Sequence, residues 1–207
     1  MARLEVITGP MFSGKSEEVI RRLVRSAFAE KIILVARPKE DNRNKRNIFD
    51  LIAENRHLNL YGRISTGIIE NFHELRQLIG PGTMPDVIAI DEGQFLGNWI
   101  VNSALELLDI FDNQDFRLII SGLDMDALKV PFGPMPQLMA MADEVVKLTA
   151  ICDKCKTNSG TLTYNKFPQL KATNLDENEM GQKNQIKTGD KEIYGVRCRA
   201  CHKFPPH

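Results

Sequence analysis

With 207 residues the chain has room for one ordinary domain and a small appendage, and is too short for two full catalytic domains. Its 27 Lys and Arg are balanced by 27 Asp and Glu, so no basic surplus is available to hold a polynucleotide backbone, while a mononucleotide remains an open partner. No apolar run approaches the ~18–20 residues that span a bilayer, and Met1-Ala2-Arg3-Leu4-Glu5-Val6 lacks the regions of a signal peptide, so a cytoplasmic, membrane-free protein is expected.

Residues 4–8, Leu-Glu-Val-Ile-Thr, read as a short buried strand. A helical pattern runs from about Ser16 to Glu30, with Val19, Ile20, Leu23 and Val24 on one side and Glu17, Arg21, Arg22 and Arg25 on others. Between the two stands Gly9-Pro10-Met11-Phe12-Ser13-Gly14-Lys15-Ser16, a full match to G-x-x-x-x-G-K-S/T. Its glycines let successive backbone N–H groups turn toward phosphate oxygens, and the helix start adds its positive end. Lys15 suits the β- and γ-phosphates of ATP, and Ser16 suits Mg²⁺. An ordinary Gly-containing turn is the bland alternative; the match's place between strand and helix weighs against it.

The apolar run from Lys31 to Ala36 completes a strand–helix–strand unit. Further strands are expected at Val87–Asp91 and Phe116–Ser121, with helices near 71–79, 97–111 and 134–142. Helices alternating with continuous apolar strands point to an α/β fold, a P-loop NTPase-type parallel sheet with helices on both faces. Asp91, at the end of an apolar strand, fits the carboxylate that approaches the magnesium through a water. Glu92 follows it and is the candidate catalytic base, able to orient an attacking hydroxyl and accept its proton. A solvated acid at a strand end is the alternative for Glu92.

After Lys147-Leu-Thr-Ala-Ile151 the chain turns polar, and residues 171–192 carry few large apolar groups, too few to build a core. Cys152-x-x-Cys155 and Cys198-x-x-Cys201 form two knuckles able to supply four thiolates to one structural zinc. A redox dithiol is the poorer reading, because a second Cys-x-x-Cys is present. The expected division is 1–150 for an ATP-binding domain and 151–207 for a zinc-binding subdomain.

The phosphate loop and Asp91-Glu92-Gly93-Gln94-Phe95 together resemble the zinc-containing, P-loop (type II) thymidine kinases. The likeness extends to Asp41-Asn42-Arg43, Gly122-Leu123-Asp124, Pro131-Phe132-Gly133-Pro134-Met135-Pro136, Lys147–Cys152, and Tyr194 followed by Cys198-Arg-Ala-Cys-His202. The resemblance implies that Gly9–Ser16 hold the triphosphate, joined by Asp41, Arg43, Asp91 and Gln94, with Glu92 as proton acceptor. It implies a base and sugar pocket bordered by Met11, Phe95, Leu123, Ala127, Phe132, Thr163 and Tyr194, and by a loop containing Thr188 and Gly189 that closes over the nucleoside as a zinc-held lid. It also implies a homotetramer. Two departures stand out: Ala127 occupies a position where the family usually has an aromatic residue against the base, and Asp190 follows Gly189 where a second glycine is usual.

The leading expectation is transfer of the γ-phosphate of Mg·ATP to the 5′-hydroxyl of thymidine or deoxyuridine for nucleotide salvage. The alternatives are a diverged kinase for another nucleoside, motivated by Ala127 and Asp190, and a nucleotide-binding regulator without catalysis, against which Lys15, Ser16 and Glu92 all argue.

Overall fold

The computed structural model describes residues 1–41, 47–80, 84–112, 115–166 and 193–202. Six parallel strands form one sheet: β1 (Arg3–Thr8), β2 (Ile32–Pro38), β3 (Arg63–Ile69), β4 (Val87–Ile90), β5 (Arg117–Gly122) and β6 (Glu144–Lys147). Their order is β3-β2-β4-β5-β1-β6. The inner strands β1, β4 and β5 are buried almost throughout, as a sheet covered on both faces requires.

One face packs against α4 (Phe72–Ile79), α5 (Trp99–Ile110) and α6 (Met135–Met141), with Leu4, Val6, Leu34, Ile88, Ile90, Leu118 and Ile120 of the sheet meeting Leu75, Ile100, Ala104, Leu107, Met135 and Leu138. Phe111 stacks on Phe116 at 4.2 Å between ring centres, closing the connection from α5 to β5. The other face takes α1 (Lys15–Phe28), α2 (Ile48–Glu54) and α3 (Arg56–Tyr61) through Val19, Leu23, Ala27, Ile48, Ile52 and Leu58. Removing each such aliphatic side chain from water contributes about 1.5–3 kcal/mol.

Helix α1 forms because its apolar residues recur at intervals of four, Val19, Leu23 and Ala27, and because Glu17 and Glu18 complement the positive end of the helix. The sheet beneath it holds an acid as well as hydrocarbon. Glu5 of β1 is fully buried and bonds Arg22 of α1 and Arg117 of β5, the latter at 2.7 Å through two nitrogens. Arg22 also reaches Glu18 at 3.0 Å and Glu144 of β6 at 2.7 Å. Burial pushes the Glu5 carboxyl up, but Arg117 and Arg22 outweigh it and hold it below the usual range.

Beyond the sheet lies an antiparallel ribbon of β7 (Leu162–Asn165) and β8 (Tyr194–Arg197), with the two Cys-x-x-Cys turns at its base. Residues 167–192, including Thr188, Gly189 and Asp190, lie outside the described residues, as does Arg43.

The strands and helices expected from periodicity are present with ends moved by one or two residues. The expected helix from Ser16 stops at Phe28, where Ala29 and Glu30 bend away, Glu30 at φ 55°. Elements β3, α2, α3, β6, β7 and β8 are additions that the sequence patterns did not reveal.

Candidate active site

Parallel strands send their C-terminal ends to one edge, and that edge collects the chemistry. β1 ends at Thr8 and turns at Gly9, whose φ of 143° suits glycine and where a Cβ would stand 2.5 Å from the Leu148 carbonyl oxygen. The loop therefore lies against the chain leaving β6. Inside it, Ser13 Oγ and Lys15 Nζ both donate to the Pro10 carbonyl at 2.8 Å, so the lysine folds back across the loop and is largely buried. Gly14 is left-handed at φ 83° and precedes α1. Met11 and Ser13 are half-buried, and Phe12 is exposed.

Asp91 follows β4 and is 1% exposed. Ser16 Oγ donates to its Oδ2 at 2.8 Å, while Ser121 Oγ, from the end of β5, donates to its Oδ1. A hydroxyl and a carboxylate from separate elements thus meet next to Lys15, an oxygen donor set that suits a hard divalent cation such as Mg²⁺. Asp41, after β2, is also buried; Arg37 bonds its carbonyl and lies 3.4 Å from its carboxylate.

Glu92 is 7% exposed and left-handed, φ 59° and ψ 40°. The 3₁₀ turn Gly93–Phe95 begins there, and Gln94 Nε2 donates to Glu92 Oε2 at 2.5 Å. Leu123 N–H donates to Gln94 Oε1 at 2.9 Å, so this amide is engaged by protein on both ends.

The remaining pocket candidates are connected by contacts. Phe95 meets Phe132 edge to face at 5.8 Å, and Phe132 N–H donates to the Asp124 carbonyl. Asp126 Oδ1 accepts N–H groups of Leu128 and Val130, closing the turn that carries half-buried Ala127. Tyr194 on β8 lies within the field of Asp126; burial first and that charge second push its phenol up. On β7, Thr163 Oγ1 accepts the Met11 N–H at 3.0 Å and thereby joins the ribbon to the phosphate loop. Sequence reasoning missed Ser121 and the ion pair between Lys147 Nζ and Asp124 Oδ2, 2.5 Å long, which reaches from the end of β6 past β1 to the chain leaving β5. Both residues of the pair belong to segments already singled out, but no spacing in the sequence joins them.

The four cysteines are free thiols whose sulfurs all lie within 4.8 Å of one another. Cys155 and Cys198 sulfurs are 3.7 Å apart, against the ~3.8 Å edge of a tetrahedron with Zn–S bonds of ~2.3 Å. Backbone N–H groups, that of Cys155 foremost, bring the Cys152 thiol down to about 6, whereas the neighbouring sulfurs, Cys198 foremost, push Cys201 up to about 12. Four thiols this close ionise together only around a cation, and the donor set fits zinc.

A parallel six-stranded sheet, a phosphate-loop signature between β1 and α1, and Asp91 brought from β4 to Ser16 define a protein of the P-loop NTPase type. Among the described residues no helix is long and apolar enough to cross a membrane. The chain belongs to the thymidine kinase family: the family model described as thymidine kinase matches residues 2–202. It is 38% identical over 199 residues to a thymidine kinase of Mycoplasma mobile, covering 96% of this chain and 86% of that relative. A solved structure, the flagellar accessory protein FlaH from Methanocaldococcus jannaschii, aligns over 70% of each chain with a TM-score of 0.49 and 11% identity.

Proposed function

We propose that this protein transfers the γ-phosphate of ATP to the 5′-hydroxyl of thymidine or deoxyuridine, as a cytoplasmic salvage enzyme. The observation that carries the reading is the placement of Glu92 one residue beyond Asp91, buried and fixed in orientation, beside the Ser16–Asp91 contact. Mg²⁺, when bound with ATP, neutralises charge developing on the phosphates, and Ser16 and Asp91 are the residues that would hold it. Residues Gly9–Ser16, with Asp41 and Arg43, cradle the phosphates; Lys15 leaves the Pro10 carbonyl to meet them. Glu92 accepts the hydroxyl proton as the new P–O bond forms and the bond from the γ-phosphorus to the bridging oxygen breaks, releasing ADP.

The nucleoside lies among Met11, Phe95, Leu123, Ala127, Phe132, Thr163 and Tyr194. Residues 151–207 form a lid subdomain held by one structural zinc on Cys152, Cys155, Cys198 and Cys201, distinct from the kinase domain 1–150. The assembly is a homotetramer. A second reading, a kinase for a different nucleoside, is favoured by the small side chain of Ala127.

A panel of nucleosides incubated with Mg·ATP and scored for 5′-monophosphate separates the two readings. With the best substrate, Glu92→Gln should lower kcat by roughly 10²–10⁴-fold and leave ATP affinity unchanged. A kcat within about threefold of wild type would remove Glu92 from the role.

A further inference from the structure

Gln94 is 3% exposed, and its side chain is specified from every direction. Because its Oε1 accepts the Leu123 N–H, its Nε2 points the other way, to Glu92 Oε2. Two glycines make room for it. A Cβ on Gly122 would stand 2.6 Å from Gln94 Oε1, and a Cβ on Gly133, whose φ is 53°, would collide with the Gln94 backbone carbonyl. Glu92 itself starts from a left-handed backbone, an uncommon conformation for a residue with a side chain.

We propose that Gln94 is a positioning residue for phosphoryl transfer: its side-chain amide holds the Glu92 carboxylate toward the nucleoside hydroxyl and ties that orientation to Leu123 on the pocket wall. This rests on the reading of Glu92 as proton acceptor. A carboxylate can rotate about three side-chain bonds, and a short hydrogen bond to one oxygen removes most of that freedom before substrate arrives. The amide's other end is bonded to the backbone of Leu123, so the wall that receives the nucleoside and the group that receives its proton share one rigid link. Gln94 touches no reacting atom and acts through Glu92.

The test uses Gln94→Asn, one methylene too short to reach both partners, and Gln94→Glu, which keeps the volume between Gly122 and Gly133 but puts an oxygen where the N–H faced Glu92. Gln94→Glu serves as well if the shorter variant fails to fold. Both should lose kcat by on the order of 10²-fold, the effect of a misplaced catalytic group, with KM for Mg·ATP and for the nucleoside nearly unchanged. Added to Glu92→Gln, either substitution should cost nothing further, since the proton acceptor that Gln94 positions is already gone. Wild-type kcat in both variants, a raised KM for ATP at constant kcat, or a full additional loss in the double variant would each overturn the positioning role. If Glu92→Gln alone retains wild-type kcat, the reading of Glu92 fails, and the role of Gln94 with it. A large Glu92→Gln loss beside unaffected Gln94 variants overturns the positioning role alone.

Discussion

Ala127 sits between Asp126, whose carboxylate closes the turn, and Leu128, which is exposed. The turn faces the β8 side, where Tyr194 senses the charge of Asp126. If this turn borders the base, a ring at 127 adds apolar contact and stacking of about 1–3 kcal/mol. Ala127→Phe should therefore lower KM for thymidine by about tenfold and obstruct a bulkier nucleoside, read as the ratio of kcat/KM values for the two. An unmoved ratio would take position 127 out of the pocket. At this scale the sequence was most legible where chemistry demands fixed local spacing: Gly9–Ser16, the adjacent Asp91 and Glu92, and the paired cysteines. Ser121, Asp124 and Lys147 gave no such pattern, because each finds its partner across strand ends, where a serine or an acid is compatible with many surroundings. Gln94 was visible as a residue, but its engagement with Glu92 depends on space left by Gly122 and Gly133, which no linear spacing encodes.

Helix α1 carries a pH response of its own. Its Glu18 is held down to about 2, first by the hydrogen bond from Arg21, with Arg22 adding to it, against an ordinary value of 4.5. A folded value below the unfolded one means that the folded protein takes up this proton later. The stabilisation is complete above pH 4.5 and is withdrawn as pH falls toward 2. Thermal unfolding of Glu18→Gln should accordingly show a deficit against wild type at pH 6 that shrinks steadily on acidification through that window; parallel curves would assign the acid sensitivity elsewhere. Among elements, α1 and the inner strands were readable because both are buried along a clear period. β3 was not, since as an edge strand most of its residues meet water, and β6 spans only Glu144–Lys147. Helices α2 and α3 are a turn or two long, and their starts rest on Asn47 and Asn55 side chains accepting backbone N–H groups, a cue as frequent in loops as in helices.

Across the whole molecule, the ribbon of β7 and β8 has little core and depends on its base. Protein purified without chelator should contain one zinc per chain by elemental analysis. Stripping the metal should open residues 151–202 to proteolysis before the sheet and raise KM for the nucleoside, because ordering of the ribbon is offset by metal binding. Absence of zinc, or a disulfide between the knuckles by mass spectrometry, would end this account. The placement of β1 has a different kind of consequence, one of chronology. β1 pairs with β5 on one side and β6 on the other, so the strand that launches the phosphate loop finds its neighbours at residues 117–122 and 144–147. On the ribosome the phosphate-loop signature is translated well before the strands that flank β1 and must wait, unsupported, until residue 147 has been added. A nascent chain halted before that point carries the full phosphate-loop signature without the loop it encodes, and nucleotide can reward only a sheet already finished.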